Sequence, residues 1–428
     1  MTQLGDKPVA ASRATSLLLR PRKTERATQS GANQYDLGSF NEATIIETIR
    51  QAGVISRTEV AERTGLTQQS VSRILRVLLD RGLVVEGDQV RTEQVGKPRT
   101  MVRLRAEAAH AVGVLVDPTS LTFVLSDLDG GVVERRAVDL RTDVSPDDLV
   151  GLIGDAVDEL VKTSNIDLES FLGVGVATPG PITPDGRLLE LPLPRTWRNA
   201  PLRDMLATRL GCPVLVQKDG EAAAVGERWV GRTKRAGDFV FLYFGTGIGS
   251  GLVLNGDVYR GVSSNAGEFG QLCAIRIGNT DAAGRPLLVR ECNPTSALPE
   301  IAAELGYRGP GTTYRELCEE VGRGEEHAVA AAEQIAEVIA QGAVALIDLL
   351  DLPLMVIGGP AFEPELRDIV VSRISREINA VPTAHSARTV RVERSVLASE
   401  AGAVGAASSI FHNTFAPRMG NAQRAAAL

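Results

Sequence analysis

The 428-residue sequence predicts an α/β protein in which a small helical module precedes a larger mixed body. Three observations carry this. Residues 41–105 hold three short helix signals divided by glycines and followed by two strand-like runs. Phe239–Gln271 holds strand-like runs divided by Gly245, Gly247, Gly249 and Gly251 and leads to Asn265-Ala-Gly-Glu-Phe-Gly270. Charge is also split: residues 1–105 carry 17 Lys and Arg against 11 Asp and Glu, and the remainder carries 29 against 42. A basic end on an acidic body suits contact with a polyanion by that end only.

Composition narrows the class. Hydrophobic residues make up 43% and charged residues 23%, ordinary for a globular chain. Asp348 and Asp351 interrupt the most apolar segment, Leu346–Ile357, so no run approaches the ~18 residues of a membrane helix. Leu17–Leu19 is too short for a signal-peptide core. The expectation is a cytoplasmic chain that meets no membrane. Cys212, Cys273, Cys292 and Cys318 lack CxxC spacing and read as free thiols.

Residues 1–38 are polar, include Arg20, Arg22, Lys23 and Arg26, and read as a disordered basic tail. Residues 39–105 read as a helix-turn-helix with a wing. Ile45, Ile46 and Ile49 give Ala43–Gln51 helical spacing, and Gly53 ends it. Ser56 caps Arg57–Thr64, Gly65 makes the turn, and Thr67 caps a third helix to about Leu79. Val71, Ile74, Leu75 and Leu78 face inward. Thr67, Gln68, Gln69, Ser70, Ser72, Arg73 and Arg76 are left for solvent or DNA, and these side-chain types read base edges and phosphates. Strands Leu83–Glu86 and Thr100–Leu104 flank a turn carrying Arg91, Lys97 and Arg99, a wing whose Lys97 and Arg99 are also expected to contact DNA.

The body, residues 106–414, opens with three strand-like runs, His110–Val116, Leu121–Leu125 and Val132–Leu140. Ser145–Thr163 is an amphipathic helix, and Leu172–Val176 and Pro213–Val216 are strands. Asp185-Gly186-Arg187 is a tight turn, and Trp197 is a core anchor. Asn255-Gly256 marks a hairpin. Glu326–Leu350 is a long Ala-rich helix, and Leu354–Gly359 a buried strand. Thr389–Val392 is a short strand and Ala401–Phe411 a final helix. Residues 415–428 read as a second disordered tail.

GTGIGSGLVLNGDVYRG followed by AGEFG resembles the ROK family of repressors, open reading frames and sugar kinases. SRTEVAERTGLTQQSVSRILRVLLDRGLV with VGKPRTMVRL resembles the DNA-binding half of its repressors. The resemblance spans roughly residues 41–413 and implies a winged helix ahead of a two-lobed actin/hexokinase-like domain. It assigns Asn199, Asp219, Glu268 and Glu291 to a sugar site, Asp219 in the place of the kinases' base. Lys218 stands where Asn is expected, so it either pairs with Glu268 or Asp219 or meets an anionic ligand. Gln271 stands where the family has a histidine that binds sugar and often zinc. The cysteine knuckle is reduced to Cys292, which implies no metal. The glycine phosphate loop is replaced by Asp117-Pro118-Thr119-Ser120, and Pro118 lacks the N–H a phosphate would use.

These departures imply a regulator rather than an enzyme, with no catalytic residue and no cofactor. The expected partners are a double-stranded DNA operator and a small carbohydrate-like effector in the cleft, bound by a homodimer or homotetramer that represses carbohydrate-related genes. Two alternatives stand beside it. One is a constitutive DNA-binding protein whose body is only an oligomerisation scaffold. The other is an ATP-dependent sugar kinase, which the altered phosphate loop opposes.

Overall fold

The computed structural model describes residues 34–90, 99–141, 144–188, 197–235 and 237–417. They form two compact units. One holds the chain to Gln217, Arg228–Ala236 and Ala403 onward; the other holds Lys218–Glu227 and Gly237–Gly402.

In the first unit, α1 (Gln34–Ala52) starts well before the expected Ala43. Residues 1–33 of the expected tail lie outside the described residues. Ser56 caps α2 (Arg57–Thr64) in a reciprocal box with Glu59, and Gly65 ends it at φ 68°. That left-handed value suits glycine and turns the chain into α3 (Gln68–Asp80). Strands β1 (Ile55–Ser56), β2 (Val84–Val90) and β3 (Arg99–Leu104) form a sheet ordered β1-β3-β2. Ile45, Ile49, Val60, Val71, Leu75 and Leu78 are buried in one core, which continues onto Trp229, Phe411 and Phe415.

The same unit holds a sheet of β4 (His110–Val116), β5 (Ser120–Asp127), β6 (Val132–Asp139), β7 (Phe171–Thr178) and β8 (Val214–Lys218), ordered β6-β5-β4-β7-β8. β4, β5 and β6 are an antiparallel meander, and β7 joins β4 in parallel. Between β6 and β7 runs α4 (Pro146–Thr163), capped by Ser145 and packed against α5 (Leu202–Leu210). Trp197 is fully buried, as an anchor should be, and its Nε1 donates to the Val144 carbonyl at 2.7 Å. The closing helix α12 (Ala401–Phe415) runs four residues past the expected end. It lies so close to the sheet that a Cβ at Gly113 would sit 1.9 Å from the Ala403 carbonyl oxygen.

In the second unit the sheet order is β11-β10-β9-β12-β13: β9 (Phe239–Phe244), β10 (Ile248–Leu254), β11 (Asp257–Tyr259), β12 (Leu354–Gly358) and β13 (Arg391–Arg394). β13 begins two residues beyond the expected start. Asn255 and Gly256 both have positive φ, 54° and 71°, as a two-residue hairpin turn requires. Six helices surround this sheet: α6 (Asp219–Gly231), whose last turn belongs to the first unit, α7 (Phe269–Ile277), α8 (Pro294–Leu305), α9 (Tyr314–Arg323), α10 (Glu326–Leu350) and α11 (Arg367–Ile378). α10 is long and apolar enough by composition to cross a membrane. Its Ala331, Ile335, Ile339, Ala343 and Ile347 are instead buried in the core, against α7, α8, α9 and α11.

Candidate DNA-binding face and effector site

The polar face of α3 follows from its apolar one. With Val71, Ile74, Leu75 and Leu78 turned inward, Gln68, Gln69, Arg73 and Arg76 stand exposed. Thr67 and Ser70 are differently employed. The Thr67 hydroxyl accepts from the Ser70 N–H at 3.2 Å and donates to the Ser70 hydroxyl at 3.0 Å, starting the helix. Thr67→Ala is expected to cost about 0.5–2 kcal/mol of stability, seen as a lower urea midpoint. Ser72 is half-buried. Arg99 opens β3, whereas Lys97 and the rest of residues 91–98 lie outside the described residues.

One constellation escaped sequence reasoning. Arg50 on α1, 1% exposed, forms a two-pronged ion pair with Glu47: Nε to Oε2 and Nη2 to Oε1, both 2.8 Å. Its Nη1 donates to the carbonyls of Arg228 and Trp229, and its guanidinium lies 4.6 Å from the Trp229 ring centroid. Arg228 Nη2 reaches Glu47 Oε1 at 2.8 Å. Burial pushes the Glu47 carboxyl up, but the Arg50 hydrogen bonds and the charges of Arg50 and Arg228, with a bond from Gln51, outweigh it and hold it at about 2. The first helix of the small module is thereby fixed to the rest of its unit. The available signal was an Arg three residues after a Glu on an otherwise apolar helix face.

The second unit gathers Lys218, Asp219 and Glu268. Lys218 ends β8, and Asp219 opens α6, its Oδ1 accepting from the Gly220 N–H at 2.7 Å. Three backbones converge here without intervening side chains. A Cβ on Gly251 would fall 2.1 Å from the Gly220 carbonyl oxygen, and one on Gly267 would fall 2.1 Å from that of Ser250. The Ser250 N–H and hydroxyl both donate to the Gly267 carbonyl at 3.0 Å, pinning the loop that carries Glu268. Lys218 Nζ lies 2.6 Å from Glu268 Oε1 and 3.1 Å from the Ala266 carbonyl. Of the two side-chain partners open in the sequence, Glu268 is the one within 2.6 Å. Arg260 pairs with Glu221, two residues after Asp219.

The other expected ligand residues differ in setting. Gln271 is exposed on the first turn of α7. Glu291 is mostly buried, accepts from Gln334 Nε2 at 3.0 Å and lies 3.6 Å from Arg290. Asn199 belongs to the first unit, exposed at φ 61°, and its carbonyl accepts from Arg187 at 3.4 Å. Arg187 itself pairs with Asp185 at 3.0 Å within the turn. A shallow depression lined by Ala345, Asp348, Leu349, Asp351, Thr383, Ala384 and Arg388 includes none of these residues.

In the β4–β5 turn the Asp117 N–H is committed to the Ser120 carbonyl at 2.9 Å. Pro118 has none, so two successive positions of the turn offer no N–H to a phosphate. Cys273 and Cys292 are buried free thiols. Among the described residues no group of three His, Cys, Asp or Glu is arranged to hold a metal ion, short of the four ligands that structural zinc takes.

A winged helix joined to a sugar-kinase-like α/β body defines the class. The MarR family pattern matches residues 39–92, and the ROK family pattern matches residues 111–413. The chain belongs to the ROK family. It is 27% identical to the xylose repressor of Bacillus subtilis over 56% of this chain and 62% of that one. It is 25% identical to the xylose repressor of Caldicellulosiruptor bescii over 56% and 59%. The chain thus spans about three fifths of the length of these relatives. The DNA-binding transcriptional dual regulator NagC of Escherichia coli is 24% identical over 76% of this chain and 82% of its own. Among solved structures, a ROK family transcriptional regulator homologous to the E. coli MLC protein superposes with a TM-score of 0.72 at 20% identity, covering 89% of this chain and 97% of that one. A Streptomyces griseus ROK glucokinase gives 0.59 at 23%, over 70% and 99%. The fold is therefore common to regulators and kinases.

Proposed function

We propose that this chain is a cytoplasmic transcriptional repressor of carbohydrate-related genes, bound to its operator as a symmetric oligomer and released by a small sugar-like effector. The observation that carries the proposal is the exposed Gln68, Gln69, Arg73 and Arg76 face of α3 in a chain whose body has a sugar-kinase fold. In this reading α3 enters the major groove. Arg73→Ala and Arg76→Ala are expected to weaken operator binding by about 1–3 kcal/mol where they contact a base. Where one contacts a phosphate instead, the slope of log affinity against log salt falls by about 1. Fluorescence anisotropy at several salt concentrations measures both.

Phosphoryl transfer is not part of the proposal, because the β4–β5 turn offers its N–H groups poorly. ADP release with a sugar, abolished by Asp219→Asn, would restore the kinase reading. The scaffold reading draws on Gln271 and on the commitment of Glu291 to Gln334. It predicts no thermal shift with any sugar, whereas an effector at 100 times its Kd adds about 2.7 kcal/mol of stability.

A further inference from the structure

The inference rests on the reading that Lys218, Asp219 and Glu268 meet the effector. We propose that Lys218 sets the chemical class of that effector: a neutral polyhydroxy compound, with phosphorylated and carboxylated sugars rejected.

Lys218 is 5% exposed, and its ammonium is held at 2.6 Å by the Glu268 carboxylate and at 3.1 Å by the Ala266 carbonyl. A buried cation in such a setting is stabilised only while its counter-charge remains. An incoming phosphate or carboxylate would have to take the ammonium from Glu268. Glu268, whose side chain is 49% exposed, would be left beside the incoming anion with no counter-charge between the two. The other cation tied to this stretch, Arg260, is closed on Glu221, whose side chain is 8% exposed. Both cations of this stretch are therefore engaged by carboxylates.

A hydroxyl meets the site without breaking any pair. It accepts from an ammonium N–H and donates to a carboxylate at the same time. Neighbouring hydroxyls of a sugar can bridge Lys218 and Glu268. The close backbones at Gly220, Gly251 and Gly267 leave no side chain of their own there. Lys218 thus orients Glu268 as an acceptor and lowers the negative charge of the site, while leaving no uncommitted cation for an anion.

The opposite preference should appear when the ammonium is released. Glu268→Gln keeps the shape and removes the counter-charge, so sugar phosphates should gain. Lys218→Met removes the donor and should weaken a neutral sugar at least tenfold, without admitting anions.

The test is isothermal titration of the full chain with xylose, glucose and N-acetylglucosamine, and with glucose 6-phosphate, N-acetylglucosamine 6-phosphate and glucuronate. The expected result is binding of a neutral sugar at least tenfold tighter than its anionic relatives, a ratio that Glu268→Gln reduces at least tenfold. A phosphorylated or carboxylated sugar that binds the unaltered chain as tightly as its neutral parent overturns the assignment of Lys218 and leaves the effector reading standing. Binding of no probe by a protein that still retards its operator overturns the effector reading and this inference with it.

Discussion

Arg50→Ala should destabilise the first unit by about 3–5 kcal/mol, because it takes from buried Glu47 the two-pronged one of its two arginine partners and from the Arg228 and Trp229 carbonyls a donor. The same substitution should weaken operator binding although Arg50, 1% exposed, cannot touch DNA. The helix it fixes is α1, against which the helix-turn-helix packs. Urea unfolding measures the first effect and anisotropy the second. The pH dependence gives an independent check. Glu47 falls from an ordinary 4.5 to about 2 in the folded chain, so its contribution is present in full above about pH 4.5 and is lost as pH falls through about 2. Linkage puts it on the order of 3 kcal/mol at neutral pH. The stability gap between the unaltered protein and Glu47→Gln should therefore be constant near neutrality and narrow steadily below pH 4.5. A gap that does not narrow would assign the loss to packing rather than to charge.

Gly267→Ala should produce a protein that binds DNA but ignores its effector. The new methyl would meet the Ser250 carbonyl 2.1 Å away, at a φ of 87° that disfavours any side chain. Overpacking of this kind costs about 1–3 kcal/mol, and relief requires the 265–268 loop to move away from β10. Glu268 would move with it, away from Lys218. The α3 face lies in the other unit and shares no residue with this loop. Operator affinity should hold while the sugar-induced loss of binding disappears. A variant that still releases DNA with the same sugar at the same concentration would exclude the Glu268 loop from the effector site.

Local chemistry was legible in the sequence. Ser56, Gly65 and Thr67 act through neighbours three or four residues away, and each takes the expected place as cap or turn. Asn255-Gly256 succeeded for the same reason. Some local signals were present and passed over. Thr313 with Glu316 forms a capping box at α9, and Pro294 sits in the first turn of α8. The start of α1 at Gln34 was hidden by a polar stretch that resembles a solvated tail.

What depended on distant partners was not legible. Arg50 meets Trp229 across 179 positions of chain, so the Glu47–Arg50 spacing in its own helix hinted at a buried pair but not at its partner. Lys218 and Glu268 are 50 positions apart, and only the backbone convergence around Ser250 selects that pairing over Asp219 or a ligand. Glu291 was matched by position alone. Its contact with Gln334 depends on where α10 packs.

If this chain is an effector-controlled repressor, it binds a specific DNA site and gives it up to a small neutral sugar. The most direct measurement is fluorescence anisotropy of the full chain on DNA from its own gene's upstream region, titrated with neutral sugars and their phosphates. The expected result is tight, sequence-specific binding that one neutral sugar releases and that Lys218→Met makes at least tenfold less responsive to it. Specific binding that no sugar alters would contradict it and leave the body as a scaffold.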